Sequence, residues 1–522
     1  MKYSNSKFLL WQAASRCPLR GLWGILLTLL LPCAVSAQNE EVLPLQLWQN
    51  TANSAALTVD TLITRGYAEI CGERTEGSYH RVQEGSSVNQ LSFYTERFQP
   101  LGSFLYGYGS FRFCQGATQN RAWSDVMRTY DSTPFFTGSS VPGRYDHQDI
   151  DLTARVSTTD FNGFRFGMGL DYKVGDLSRL RDPRSRSRLL DYRLSPSVAY
   201  TFGNNTIGLS GFYNRRKEKL PTLTTVQNTP NLYYYQMTGL DAASGTVGGY
   251  TGFAREYVNH AFGAELGYGY NALSFRTVNT ISISRATDYI YEQYKREPGC
   301  YYIYKYGVSS QNRILTDAAI HQLDLAVDFE QGYADEYRPQ LVITIDSLNG
   351  YSSSRYDNMM TYKKRYQSEI LNASLHYRLN FVGKENVNSY VGVSANLRTV
   401  SQKHLLPQST FDLHTLKLNA EFGKSMLKSR LWVMADVGYM FSLKNDMSLA
   451  SPDTDYAKSV LLVDADYYDA NYVQGKLSVM YKFPLTIKKS TATFYVKGFG
   501  EYLSAQKSLD RSAFGISIGI LN

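Results

Sequence analysis

The 522 residues carry 54 Lys and Arg against 46 Asp and Glu, a formal net charge of +8. Four of the basic residues, Lys2, Lys7, Arg16 and Arg20, fall within the first 37 positions, so the remainder is near +4, with 50 basic residues against 46 acidic ones; that is not the balance of a nucleic-acid-binding protein. Cys17 and Cys33 lie in the same leading stretch, and Cys71, Cys114 and Cys300 allow one disulfide at most, which excludes a disulfide scaffold. With no Cys-x-x-Cys pair and no His/Cys cluster, neither a metal site nor a cofactor is expected.

Met1 to Ala37 reads as a secretory signal peptide. Its four basic residues come with no acid, an apolar run follows from Gly21 to Leu31, and Val35-Ser36-Ala37 precedes Gln38. Lipidation at Cys33 is disfavoured because Pro32 stands where a small residue is required. Past the signal no segment approaches the roughly 18 consecutive apolar residues of a membrane helix, so a membrane location requires a closed barrel of strands. Residues 38–65 are then a short periplasmic N-terminal segment and residues 66–522 the barrel.

In chain order, the first hairpin, Tyr67 to Phe98, is the least regular; with it the strand number is about 18, without it about 16. Tight connections follow at Gln99 to Gly102, Thr159 to Asn162, Gly203 to Asn205, Asn271-Ala272, Arg313 to Ala318, Gly383 to Asn388, Lys424 to Ser429 and Pro484 to Lys489. Between them lie long segments, Gln115 to Asp149, Val174 to Leu190, Arg216 to Glu256, Arg285 to Gly299, Gly332 to Lys364 and Lys444 to Asp469. Such alternation is the mark of short periplasmic turns and long extracellular loops.

The clearest strand runs through Ala373, Leu375, Tyr377, Leu379 and Phe381, with Asn372, Ser374, His376, Arg378 and Asn380 between them; Val391, Val393, Ala395 and Leu397 repeat the period of two. A soluble sandwich shows the same alternation. Strands of about ten residues or more, where soluble ones average about five or six, together with Tyr and Phe at strand ends and the export signal, favour the membrane. The expected fold is therefore all-β: a transmembrane antiparallel β-barrel of about 18 strands, with the lumen polar and mixed in charge.

The stretch Tyr172-Lys173-Val174-Gly175-Asp176-Leu177-Ser178-Arg179-Leu180-Arg181-Asp182-Pro183-Arg184-Ser185-Arg186, continued by Asp191-Tyr192 and by Asn214-Arg215-Arg216-Lys217-Glu218-Lys219, resembles an uncharacterised family of Gram-negative outer-membrane β-barrel proteins. The resemblance runs from about Gly66 to the C-terminus. It implies the cell outer membrane and, because members are encoded near TonB-dependent receptors, an accessory or transport role; it implies no catalytic or binding residue. The chain does not read as a TonB-dependent receptor itself, since those barrels have about 22 strands behind a plugging domain and Gln38 to Arg65 is too short for one. It also ends Ile520-Leu521-Asn522, where barrel chains usually finish on an aromatic residue.

Three groups of residues carry candidate chemistry. Arg179, Arg181, Arg184, Arg186 and Arg188 lie between an upward strand ending near Lys173 and a downward one starting near Asp191, which places them at the outer mouth as a positive constriction loop. Guanidinium groups bind phosphate and carboxylate bidentately, so the loop could serve an anionic solute, lipopolysaccharide phosphates or a partner; the plainer reading pairs it with Asp171, Asp176, Asp182 and Asp191. Gly515-Ile516-Ser517-Ile518-Gly519 matches a nucleophile elbow by letter, but an alternating strand with no following helix lacks the elbow, and no enzymatic activity is expected. Asp464, Asp466 and Asp469 with Asn471 resemble a loose calcium loop without the fixed glycine and final glutamate, and read better as a solvated acidic loop. The function expected is passage of a polar solute, as a channel or an accessory component of uptake. The alternative is a surface-binding or structural barrel that partners a TonB-dependent receptor without an open pore, with outer-membrane lipid and lipopolysaccharide around it in either case.

Overall fold

Side chains on a strand alternate between two faces, so a chain of strands with one apolar and one polar face buries its backbone polar groups in a membrane only by pairing its last strand with its first. The computed structural model describes residues 45–60, 64–129, 132–221, 223–226, 232–247, 254–346, 348, 350–383, 387–487 and 490–521; the signal peptide expected at Met1 to Ala37 lies outside them.

In chain order the strands are β1 (Arg65–Gly77), β2 (Ser87–Leu101), β3 (Leu105–Arg121), β4 (Phe136–Ser139), β5 (Gly143–Thr158), β6 (Phe164–Arg179) and β7 (Arg186–Phe202). There follow β8 (Asn205–Leu220), β9 (Tyr233–Met237), β10 (Ala243–Val247), β11 (Arg255–Asn271), β12 (Phe275–Glu292), β13 (Gly299–Leu315) and β14 (Ala319–Asp346). The last seven are β15 (Tyr351–Val382), β16 (Val387–His404), β17 (Ser409–Met426), β18 (Leu431–Ser448), β19 (Tyr472–Ile487), β20 (Ser490–Ala505) and β21 (Asp510–Leu521). All but β4, β9 and β10 form one antiparallel sheet of 18 strands. It closes where β1 pairs with β21, from Tyr67 opposite Leu521 to Gly77 opposite Arg511. The hairpin that was least regular in sequence is thus the seam of the wall.

Outside the barrel the apolar half of the alternation stands bare: Leu375 is 44% exposed, Val393 56% and Ile516 64%. This is the belt that lipid covers in a transmembrane barrel. The intervening residues face the lumen, where His376 and Arg378 both bond Glu421 across two strands, at 2.8 Å and 2.6 Å. The tight connections fall at one end, as between β7 and β8 or β11 and β12, and the longer ones at the other; by the rule for such barrels these ends are periplasmic and extracellular.

Two expected loops are strands. Val174 to Leu190 is mostly wall, because β6 runs to Arg179 and β7 starts at Arg186; Gly332 to Lys364 is a continuous hairpin paired out to Asp346 opposite Tyr351. Apolar alternation ends where the bilayer ends, whereas backbone pairing continues past it.

Candidate functional site

The lumen is occupied from both ends. At the short-turn end, residues 45–60, expected as a periplasmic segment, fold inside the wall as two single-turn helices, Trp48–Asn50 and Ser54–Thr58. Leu47, Trp48, Ala55, Ala56 and Leu57 are all buried to 3% exposure or less. The wall makes room for them with glycines: a Cβ at Gly267 or Gly269 would lie 2.8 Å from the Trp48 ring, one at Gly208 3.1 Å from it, and one at Gly167 would meet the Ala55 backbone. Glycine weakens a strand unless something must come close, and here a plug does.

Polar bonds then fix the plug's register. The amide of Ala55 donates to Ser197 Oγ at 2.9 Å, Ser157 Oγ to the Ala55 carbonyl at 2.7 Å, and the Ala52 amide to Glu265 Oε1 at 2.8 Å. Asn53 caps the second turn through the Ala56 amide and donates to the Val198 carbonyl at 3.0 Å. Asp60 accepts from the Trp48 amide at 2.8 Å; burial pushes its carboxyl up to about 7, with that amide and Arg276 holding it back.

The long-loop end is capped by three separate pieces. The β3–β5 loop supplies β4, and the β8–β11 loop supplies β9 and β10; together they make a three-stranded sheet with β9 central. The third piece is a π-helical turn, Ala457–Leu461, running into the helix Leu462–Asp469 between β18 and β19. Trp123, Tyr235 and Tyr456 pack together where the pieces meet, and the Tyr235 hydroxyl donates to Asp455 at 2.9 Å. Charged struts tie the cap to the wall. Glu218, 1% exposed, accepts from the Met127 amide at 2.6 Å and from Ser187 Oγ at 2.6 Å and pairs with Arg128 at 3.3 Å. Arg255 reaches Glu292 at 2.7 Å and the Phe136 carbonyl at 3.1 Å. Asp241 accepts from Ser409 Oγ at 2.8 Å and the Ser451 amide at 3.0 Å.

Between cap and plug lie two stacked chambers. The outer, about 550 Å³, has Tyr366, Phe411, Tyr456 and Tyr468 on its walls beside Arg81 and Lys417. The inner, about 780 Å³, sets Arg193, Arg216, Lys305, Asp328, Glu330 and Asn372 among apolar residues such as Phe212 and Ile303. Ser132, Ile370 and Arg398 line both and form the neck; Ser132, from the cap, bonds Glu330 on the wall. Each chamber has the size of a small-molecule site. The aromatic faces above and mixed charges below suit a solute that is polar yet presents an apolar face.

The arginines expected to form one constriction loop do not come together. Arg179 faces the lumen, 2% exposed, and is a strut: it donates to the Tyr145 hydroxyl at 2.7 Å and to the Val141 carbonyl at 2.6 Å, while Tyr145 donates to Asp125 at 2.5 Å. Arg181 reaches the Pro142 carbonyl at 3.1 Å, and Arg184 pairs with Asp182 at 3.0 Å. Arg186 and Arg188 flank the inward Ser187 on β7 and so point out of the barrel, on either side of Asp176. Strand alternation, hidden at the sequence level by treating the segment as a loop, is the physical reason.

Ser517 lies in mid-strand, donating to Glu69 at 3.1 Å, with no elbow around it. The acidic group diverges. Asp464 is buried on the Val82 amide at 2.9 Å, Asp466 pairs with Lys507, and Asn471 accepts from the Ser442 amide at 2.7 Å. Burial pushes the Asp464 carboxyl up to about 7. Cys71, Cys114 and Cys300 are all free.

No curated protein matches the chain. Among solved structures it is similar to the siderophore receptor PirA from Acinetobacter baumannii at 10% identity, covering 88% of this chain and 81% of that one with a TM-score of 0.37. Acinetobacter baumannii OccAB3 gives 10% identity, 88% and 99% coverage and a TM-score of 0.37. The ferric yersiniabactin uptake receptor FyuA from Yersinia pestis gives 9%, 88% and 80%, and 0.37. Residues 54–522 match the profile described as "Family of unknown function (DUF6850)", and the chain belongs to that family.

Proposed function

We propose that the protein is an outer-membrane barrel for uptake of a polar solute, closed at rest and opened by withdrawal of its own N-terminal segment. The observation that carries this reading is the pair of chambers held between a loop cap and a plug, lined by aromatic and charged side chains. An always-open pore does not need a plug fitted residue by residue into wall glycines; a gate does. The plug is one contiguous stretch, so leaving it costs a single set of contacts. Liposome swelling in neutral disaccharides tests it: the mature protein should admit them slowly and a chain lacking residues 38–60 quickly, and equal rates would refute the gate.

One observation favours a second reading, the binding barrel without an open pore. The β14–β15 hairpin projects past the wall with Leu341, Ile343, Leu348, Tyr351 and Met359 exposed between 46% and 94%, an apolar surface of the kind that marks a protein contact. A chain without residues 340–357 that loses association with a membrane partner but keeps swelling activity would assign docking to the hairpin and passage to the lumen.

A further inference from the structure

Beyond solute passage, and at a different place, we infer that the outward face of β7 and β8 at the long-loop end is a binding site for the phosphates of a lipid headgroup in the outer leaflet. Lumen-facing Ser187 and Glu218 fix the alternation, because Ser187 donates to Glu218 inside the barrel. Arg186 and Arg188 on β7, and Arg215, Lys217 and Lys219 on β8, therefore face outward. Arg188 sits directly opposite Lys219 in the ladder. Like charges in that position repel, and an anion held between them would remove the repulsion.

The acids nearby do not supply that anion fully. Asp176 holds Arg186 at 2.8 Å but Arg188 only at 4.0 Å. Glu256 holds Lys217 at 2.8 Å but Lys219 only at 4.0 Å. Arg215 Nε is buried with no hydrogen-bond partner. Five cations thus face two carboxylates, and the two in register have a carboxylate only at 4.0 Å.

Position selects the occupant. Moving down the same outward faces from these residues, one meets Leu190, Tyr192 and Leu194 on β7 and Tyr213, Leu209 and Ile207 on β8, the lipid-facing belt with its aromatic edge. A ligand here has acyl chains against the belt and anionic groups one step above it. Arginine and lysine at that level recognise phosphate, by a bidentate fork and a point charge respectively. A phosphorylated glycolipid meets these requirements; a lumen-bound solute cannot reach this face.

Native mass spectrometry of the mature protein released from detergent tests the site, with bisphosphorylated lipid A, its dephosphorylated form and inorganic phosphate as probes. The bisphosphorylated lipid should remain as a discrete adduct, the dephosphorylated one should bind about tenfold more weakly or worse, and inorganic phosphate alone should not persist. Arg188→Gln with Lys219→Gln should lower retention by a similar factor; Arg188→Gln alone should lower it less, and Arg355→Gln on the exposed hairpin not at all. Heat-modifiable migration confirms that each variant is folded. Equal retention of the two lipids, persistence of inorganic phosphate as strong as that of the lipid, or unchanged retention in the folded double variant would overturn the site.

Discussion

The two ends of the lumen are occupied in different ways. The plug is one stretch, 45–60, held by close backbone approach to glycines and by hydrogen bonds to wall serines and Glu265. The cap is assembled from three loops distant in sequence and is bound by buried charges: Arg128 on Glu218, Arg255 on the Phe136 carbonyl and Arg179 on the Val141 carbonyl. A contiguous piece joined to the wall on one side can leave as a unit; a piece built from three loops must break many buried contacts at once. On the proposed reading, gating belongs to the plug and shape, or selectivity, to the cap.

The largest effect is expected on the cap. Glu218→Ala removes the acceptor for the Met127 amide and for Ser187 and strips Arg128 of its nearer partner, and breaking such a buried pair costs about 3 to 5 kcal/mol. Limited proteolysis should then cut within residues 122–142 while the plug stays protected; cleavage at both ends would mean that they are one cooperative unit. The wall gives the reference. Leu375→Arg puts a charge into the lipid belt at a cost of about 2 to 4 kcal/mol, while Arg at lumen-facing Ser374 is tolerated much better, measured as urea midpoints in lipid vesicles. Equal losses at the two positions would remove the inside-outside assignment on which both ends depend.

Smaller changes separate the plug from the cap. Gly267→Val should overpack against Trp48 by about 1 to 3 kcal/mol, raising amide exchange in residues 45–60 and leaving the cap unchanged. The pH response separates them further. Asp60 titrates near 7 in place against an ordinary 3.8, so the seated plug binds the proton more tightly than the released one. Its seating is therefore strongest below about pH 4 and weakens as pH rises to 7. Asp464 in the cap is shifted the same way, so both ends should show lower amide protection factors at pH 8 than at pH 5, once exchange is corrected for its intrinsic rise with pH. In Asp60→Asn the plug should lose that difference and the cap should keep it; a plug that stays pH-dependent would show that another group holds it.

Much of this was legible in the sequence and some was not, for physical reasons. Ala373 to Phe381 announced its faces because lipid demands an apolar residue at every second place. That signal stops at the bilayer edge, so Val174–Leu190 and Gly332–Lys364 read as loops although hydrogen-bonded pairing carries on through Arg179, Arg186 and Asp346. The plug left a mark that was not read: alternate glycines at 167 and 169 and at 267 and 269, in strands where glycine otherwise only weakens pairing. The chambers left none, since Tyr366, Arg398 and Tyr468 meet only after the barrel closes and the cap folds in.

Single-channel conductance in a planar bilayer tests the central claim, that the lumen is shut by its own N-terminal segment. The mature chain should be almost silent, with rare brief openings, and the same chain without residues 38–60 should give steady steps. Steady conductance in the intact protein, or silence in the truncated one, would contradict it.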